Sequence, residues 1–160
     1  FPLGALTVGG KRHEAFQALK QGAQELDMVI NIGALKDGNY ELIKEEVEQL
    51  AGLKQEFSFQ LKVIVETALL TPEELVNVIS IVSSSAAQYI KTSTGMAARG
   101  ASLEDLEVIK KYRRPGLKIK ASGGVRELKW ALSLIAAGAD RIGSSSAGAL
   151  VREYRSLRES

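Results

Sequence analysis

Apolar residues recur at two spacings along the chain, and the alternation between them predicts the order of its elements. Over residues 11 to 23, Ala15, Leu19 and Ala23 stand four apart and Gly22 lies near the end, the pattern of a modestly amphipathic helix with His13 in its polar first turn. Residues 25 to 32 change to period two. Leu26, Met28, Ile30 and Ile32 share one parity and Asp27, Val29 and Asn31 the other, so a strand here sends Asp27 and Asn31 to the same side. A loop is expected from Gly33 to Gly38, after which Tyr40, Ile43, Val47 and Leu50 mark a helix whose opposite face is rich in Glu and Lys. Residues 61 to 67 are strongly β-branched and read as a buried strand with Lys62, Ile64 and Glu66 on one face. Thr71-Pro72-Glu73-Glu74 joins a capping box to a proline at the first helical position, and the helix it opens runs on Leu75, Val78, Ile79 and Val82.

The second half repeats the alternation. A strand over residues 88 to 93 leads into a small-residue loop from Gly95 to Ala101, and Ser102 caps a helix carrying Leu106, Ile109 and Tyr112 that Pro115-Gly116 ends. A strand over 118 to 122 is followed by a helix from about Arg126 on Leu128, Leu132 and Ile135, stopped by Gly138. A last short strand, near 140 to 143, runs into Gly143-Ser144-Ser145-Ser146, and Leu150, Val151, Tyr154 and Leu157 line a closing helix. Five strand-then-helix units with near-continuous apolar strands indicate a parallel sheet covered by helices. Polar residues at the strands' C-terminal ends point to an α/β fold of the (β/α) TIM-barrel type, incomplete at about five units, with its site in the loops after the strands. An open doubly wound sheet is the alternative on pattern alone. No repeat or linker divides residues 1–160, which are expected to form one domain.

Composition narrows the chemistry. At 160 residues, 45% of them hydrophobic, the chain suffices for one ordinary core. Its 21 basic and 19 acidic side chains are intermingled, leaving no basic stripe of the kind nucleic acid requires, so any anion site is local. With no cysteine and a single histidine, His13, a disulfide scaffold, a thiol nucleophile and the usual zinc ligand sets are excluded, and a cytoplasmic, metal-independent protein is expected. No apolar run approaches the ~18 residues of a membrane span, and the start lacks signal-peptide form.

The candidate chemistry lies in two similar stretches. In Lys91-Thr92-Ser93-Thr94-Gly95 and Lys120-Ala121-Ser122-Gly123-Gly124 a strand lysine is followed by serine two positions later and glycine four positions later. If neighbouring strands turn one parity inward, Asp27, Glu66, Lys91 and Lys120 converge, and a core built only for stability would not choose two lysines. A lysine amine attacks a carbonyl only when neutral, and Lys120 is a cation placed to lower the proton affinity of Lys91. Asp27 is expected to pair with Lys120, keep it protonated and pass protons, work that Schiff-base formation and carbon–carbon cleavage both require. Glu66 is open to a second reading, as a cap or pairing residue at a strand end. Gly123-Gly124 and Gly143-Ser144-Ser145 occupy the two loops that commonly hold a phosphate in such barrels.

These residues resemble the deoxyribose-phosphate aldolases, class I aldolases with a barrel fold. The matching segments are Phe1 to Gly4, Glu25 to Leu35, Val63 to Thr67 with Leu69-Leu70-Thr71, Lys91 to Gly95, Lys120 to Gly124 and Arg141 to Ser145, in the family's order. The resemblance implies that Lys91 forms the Schiff base and that Asp27 and Lys120 are the proton donor and acceptor. It also implies that Gly95, Gly123, Gly124, Gly143, Ser144 and Ser145 surround the sugar phosphate. The reaction implied is reversible cleavage of 2-deoxy-D-ribose 5-phosphate to D-glyceraldehyde 3-phosphate and acetaldehyde, without metal or organic cofactor. In this family Phe1 to Gly4 would end the third strand, so two strands and most of a third have no counterpart here. Ser83 to Gln88 also replaces the expected Gly-Ala-Asp-like turn. Open sheet edges are states that proteins cover, pair or swap, so a homo-oligomer or a rearranged fold is expected. The competing functions are a non-catalytic phosphate-binding relative, which would need only the glycines, and a structural fragment.

Overall fold

The apolar runs form five short strands, β1 (Glu25–Val29), β2 (Gln60–Ile64), β3 (Tyr89–Lys91), β4 (Lys118–Ser122) and β5 (Arg141–Gly143). They appear in a computed structural model that describes residues 1–159. All neighbours pair in parallel, in the order β1-β2-β3-β4-β5. The helices are α1 (Val8–Lys20), α2 (Ile32–Lys36), α3 (Tyr40–Gly52), α4 (Pro72–Ser84), α5 (Leu103–Tyr112), α6 (Leu128–Ala136) and α7 (Ala147–Glu159). The partial (β/α) barrel is thus observed, and the sheet has not rearranged.

Polar residues set most helix starts. The side chains of Thr7, Asn31, Asn39, Thr71 and Ser102 each accept a backbone N–H that the first turn leaves free. Two boundaries differ from expectation for this reason. Thr7 starts α1 before residue 11, which moves His13 beyond the first turn. The expected loop from Gly33 to Gly38 holds α2, nucleated by Asn31 accepting from Ala34 N, a helix too short for apolar periodicity to reveal. The capping box is as read: Glu74 N donates to Thr71 Oγ1 at 3.2 Å and Thr71 N donates to Glu74 Oε2 at 2.7 Å. Thr71→Ala is expected to cost about 1 kcal/mol, a fall of roughly 2–4 °C in a thermal melt; an unchanged midpoint would show that tertiary packing alone holds α4.

The strand register separates two faces. Met28, Val63, Ile90, Ile119 and Ala121 point outward and are buried under Ile43, Val47, Ile79, Leu106, Ile109 and Leu134 of the helices. Each of these side chains other than Ala121 contributes about 1.5–3 kcal/mol of burial. The opposite, concave face carries Asp27, Lys62, Lys91, Lys120 and Arg141. The sheet curves far enough for its two edge strands to meet across that face, where Arg141 Nη1 lies 2.6 Å from Glu25 Oε2. Outside the core, Phe1, Leu3, Leu132, Ile135, Val151 and Tyr154 remain exposed.

Candidate active site

The duplicated Lys-x-Ser-x-Gly stretches lie side by side because β3 and β4 are in register, Lys91 opposite Lys120. The serines beyond them tie the strand ends together. Ser122 Oγ donates to Ser93 O at 2.6 Å, and Thr92 Oγ1 accepts from Ser122 N at 3.1 Å, all of these groups being buried. This rigid junction fixes where both lysines project. Gly143 leaves them room: a Cβ there would stand 2.8 Å from Ser122 Cβ and 3.2 Å from Lys120 Cε.

Asp27 sits at the centre of the charged face. Its Oδ2 is 3.3 Å from Lys91 Nζ and 3.6 Å from Lys120 Nζ, while its Oδ1 is 3.1 Å from Lys62 Nζ. Lys62 also contacts Glu25 Oε2 at 3.0 Å, and Glu25 is held by Arg141. Four cations therefore share two carboxylates. Burial pushes the Asp27 carboxyl up, but Lys91, Lys62 and Lys120 together outweigh it and hold it below the usual carboxylate range. Burial pushes Lys120 below the usual lysine range; Asp27 opposes the fall, and Lys91, Lys62 and Arg141 add to it. The expected pairing of Asp27 with Lys120 is present, at 3.6 Å, but the same carboxylate bridges three lysines and lies nearer to Lys62 and Lys91.

Beside the lysines lies an open pocket of about 330 Å³ lined by backbone-rich loops. Gly95, Gly123, Gly124, Gly143, Ser144 and Ser145 all border it, together with Lys91 and Lys120. Gly123, at φ +84°, packs so closely on Gly100 that a Cβ would meet its Cα at 2.8 Å, so a side chain there would spread the loops. Ser144 accepts from Ser146 N at 2.9 Å and donates to Val125 O, which folds the last loop back on the one before it. Glycine-rich loops, whose backbone a ligand can approach closely, beside a surplus of positive charge suit an anion. Among the described residues no cluster of metal-ligating side chains occurs, and no helix is long and apolar enough to cross a membrane.

Glu66 does not join the lysines. The chain turns left-handed there, φ +53°, and the carboxylate faces Thr94 instead, so its alternative reading at a strand end is the observed one. Five neighbours of the site escaped the sequence reading. Lys62 was legible by parity, since it faces Asp27 in register, and Glu25 and Arg141 complete its charge network. Arg126 borders the anion pocket directly after Gly123-Gly124-Val125. The ring of Phe1 stands 5.9 Å from Lys91 Nζ, a contact between residues far apart in sequence that no local pattern signals.

Proteins similar to the whole chain are found among known proteins. The chain is 44% identical over 155 residues to the deoxyribose-phosphate aldolase of Thermococcus gammatolerans, covering 97% of this chain and 69% of that one. Among solved structures, the aldolase QR15 superposes with a TM-score of 0.92 at 42% identity over 99% of this chain and 71% of its own. The deoxyribose phosphate aldolase of Aeropyrum pernix, described as a tetramer, gives 0.88 at 32% identity, over 98% and 66%. No protein-family model matches the chain.

Proposed function

The chain belongs to the deoxyribose-phosphate aldolase family, class I aldolases that cleave 2-deoxy-D-ribose 5-phosphate to D-glyceraldehyde 3-phosphate and acetaldehyde, and we propose that it does so through Lys91. The observation that carries this reading is the meeting of Lys91 and Lys120 on one Asp27 carboxylate at the mouth of the glycine-lined pocket. Neutral Lys91 attacks C1 of the open-chain sugar, and loss of water leaves a cationic imine. Removal of the proton from the C3 hydroxyl lets the C2–C3 electron pair move toward that imine, releasing glyceraldehyde 3-phosphate and leaving an enamine. Protonation at C2 and addition of water then release acetaldehyde. Lys120, whose proton is held less firmly than usual, and ionised Asp27 are suited to these transfers. Gly95, Gly123, Gly124, Gly143, Ser144 and Ser145 would hold the phosphate, with Arg126 as a nearby cation.

A non-catalytic phosphate binder would need the glycines but not two lysines sharing one carboxylate. The same reading takes the protein as a cytoplasmic homo-oligomer, in keeping with the exposed Leu132, Ile135, Val151 and Tyr154. The test is release of glyceraldehyde 3-phosphate from deoxyribose 5-phosphate, read by coupled reduction. Lys120→Leu should lower kcat about 100-fold. It also removes a cation that depresses the Asp27 pKa, so the acid limb of the remaining activity should move to higher pH. A wild type that releases no aldehyde would refute the reading.

A further inference from the structure

Among the described residues, Glu66 is the one non-glycine residue with a positive φ, and it is buried as well. Left-handed backbone and a buried carboxylate both oppose folding, and a glycine at this turn would avoid both. What the residue does instead is hold Thr94. Glu66 Oε2 accepts from Thr94 N at 3.1 Å and also from Thr94 Oγ1. Thr94 Oγ1 in turn accepts from Met96 N at 3.1 Å, so one carboxylate orders the turn that contains Gly95. The next residue, Thr67, takes part too: its N–H donates to Thr92 O at 2.9 Å, and its carbonyl accepts from Arg99 at 3.2 Å, at the far end of the same loop. The loop, which begins at Thr94 three positions beyond Lys91, is thus anchored at both ends on residues 66 and 67. Glu66 Oε1 is buried with no partner among the described residues, so the carboxylate is committed to Thr94 through one oxygen only.

We propose that Glu66 is a positioning residue, a clamp on Thr94 that sets the backbone at Gly95 for the phosphate of the substrate. Gly95 borders the anion pocket at φ +91°, and its amide direction is decided by the turn that the clamp holds. The inference rests on the reading of that pocket as the phosphate site. It implies that substrate affinity is governed from the turn after β2, one strand away from the loop that touches the anion, because ordering the loop before binding removes its entropy cost from the binding step.

The experiment is calorimetric titration of the full chain with inorganic phosphate, which needs no turnover. Glu66→Gly removes the carboxylate while suiting the left-handed backbone, and Thr94→Val removes the hydroxyl at constant shape. With cooperative melts confirming folding, each variant is expected to bind phosphate at least tenfold more weakly than wild type, and the double variant no more weakly than the worse single. If wild type binds and both variants bind equally well, the clamp is refuted and the pocket reading stands. Loss in Glu66→Gly without loss in Thr94→Val also overturns the clamp. A wild type that does not bind phosphate overturns the pocket reading and the clamp together. Should Glu66→Gly fail to fold, Thr94→Val decides alone.

Discussion

Lys91→Ala is expected to abolish retro-aldol turnover, a loss on the order of 10⁴-fold or more, because the reaction runs through a covalent bond to that amine. The complementary experiment is reduction with borohydride in the presence of acetaldehyde, which should leave a two-carbon adduct on the peptide that contains Lys91 and none in Lys91→Ala. Mapping matters because three lysines surround one carboxylate. Lys62 is engaged by both Glu25 and Asp27 and is 3% exposed, which removes it from contention as a nucleophile. Lys120 is the real competitor, since burial has already weakened its hold on its proton. Lys91 is preferred because Asp27 Oδ2 stands 3.3 Å from its ammonium, the shorter path for a proton leaving the future nucleophile. An adduct mapped to Lys120 would exchange the two roles, and a folded protein labelled at no lysine would remove the Schiff-base chemistry altogether.

The arrangement that makes this prediction possible was largely legible before any coordinates. Parity placed Asp27, Lys91 and Lys120 inward, and the repeated Lys-x-Ser-x-Gly spacing anticipated the in-register pairing of Lys91 with Lys120. Capping residues located α4 and α5 because Thr71 and Ser102 act within one turn of themselves. What escaped depends on contacts distant in sequence. Lys62 shares a parity with Ile64, and nothing local says that Glu25 and Asp27 will both be its partners. The role of Glu66 required its left-handed φ, which breaks the strand parity that placed it beside the lysines. The near approach of Arg141 to Glu25 depends on the curvature of the whole sheet, a property of five strands together.

The open edge of β1 yields the second large effect. Ile30 N donates to Ile64 O, so the flanking Val29 carbonyl and Asn31 N–H point away from β2. An ion pair fills both positions: Lys11 Nζ donates to Val29 O at 2.9 Å and to Glu46 Oε1 at 2.5 Å, and Glu46 Oε2 accepts from Asn31 N at 2.9 Å. Burial pushes Lys11 below the usual lysine range and Glu46 above the usual carboxylate range, each opposed by the other. Neither ion is therefore stable there alone. Lys11→Met should destabilise the fold by about 3–5 kcal/mol at neutral pH, the cost of stranding a buried carboxylate. Adding Glu46→Leu should recover part of that loss, the remainder being the unpaired Val29 carbonyl and Asn31 amide. The sign with pH follows from Glu46, whose folded pKa lies above its unfolded one. The unfolded chain then releases that proton first as pH rises, so stability is lost between the two values. Without Lys11 the folded pKa moves higher still, so the gap between wild type and Lys11→Met should be widest near pH 7 and shrink as pH falls toward the ordinary glutamate value of about 4.3. Denaturant titrations of both proteins across that range measure it, and a gap that stays constant with pH would show that Glu46 is not the stranded charge.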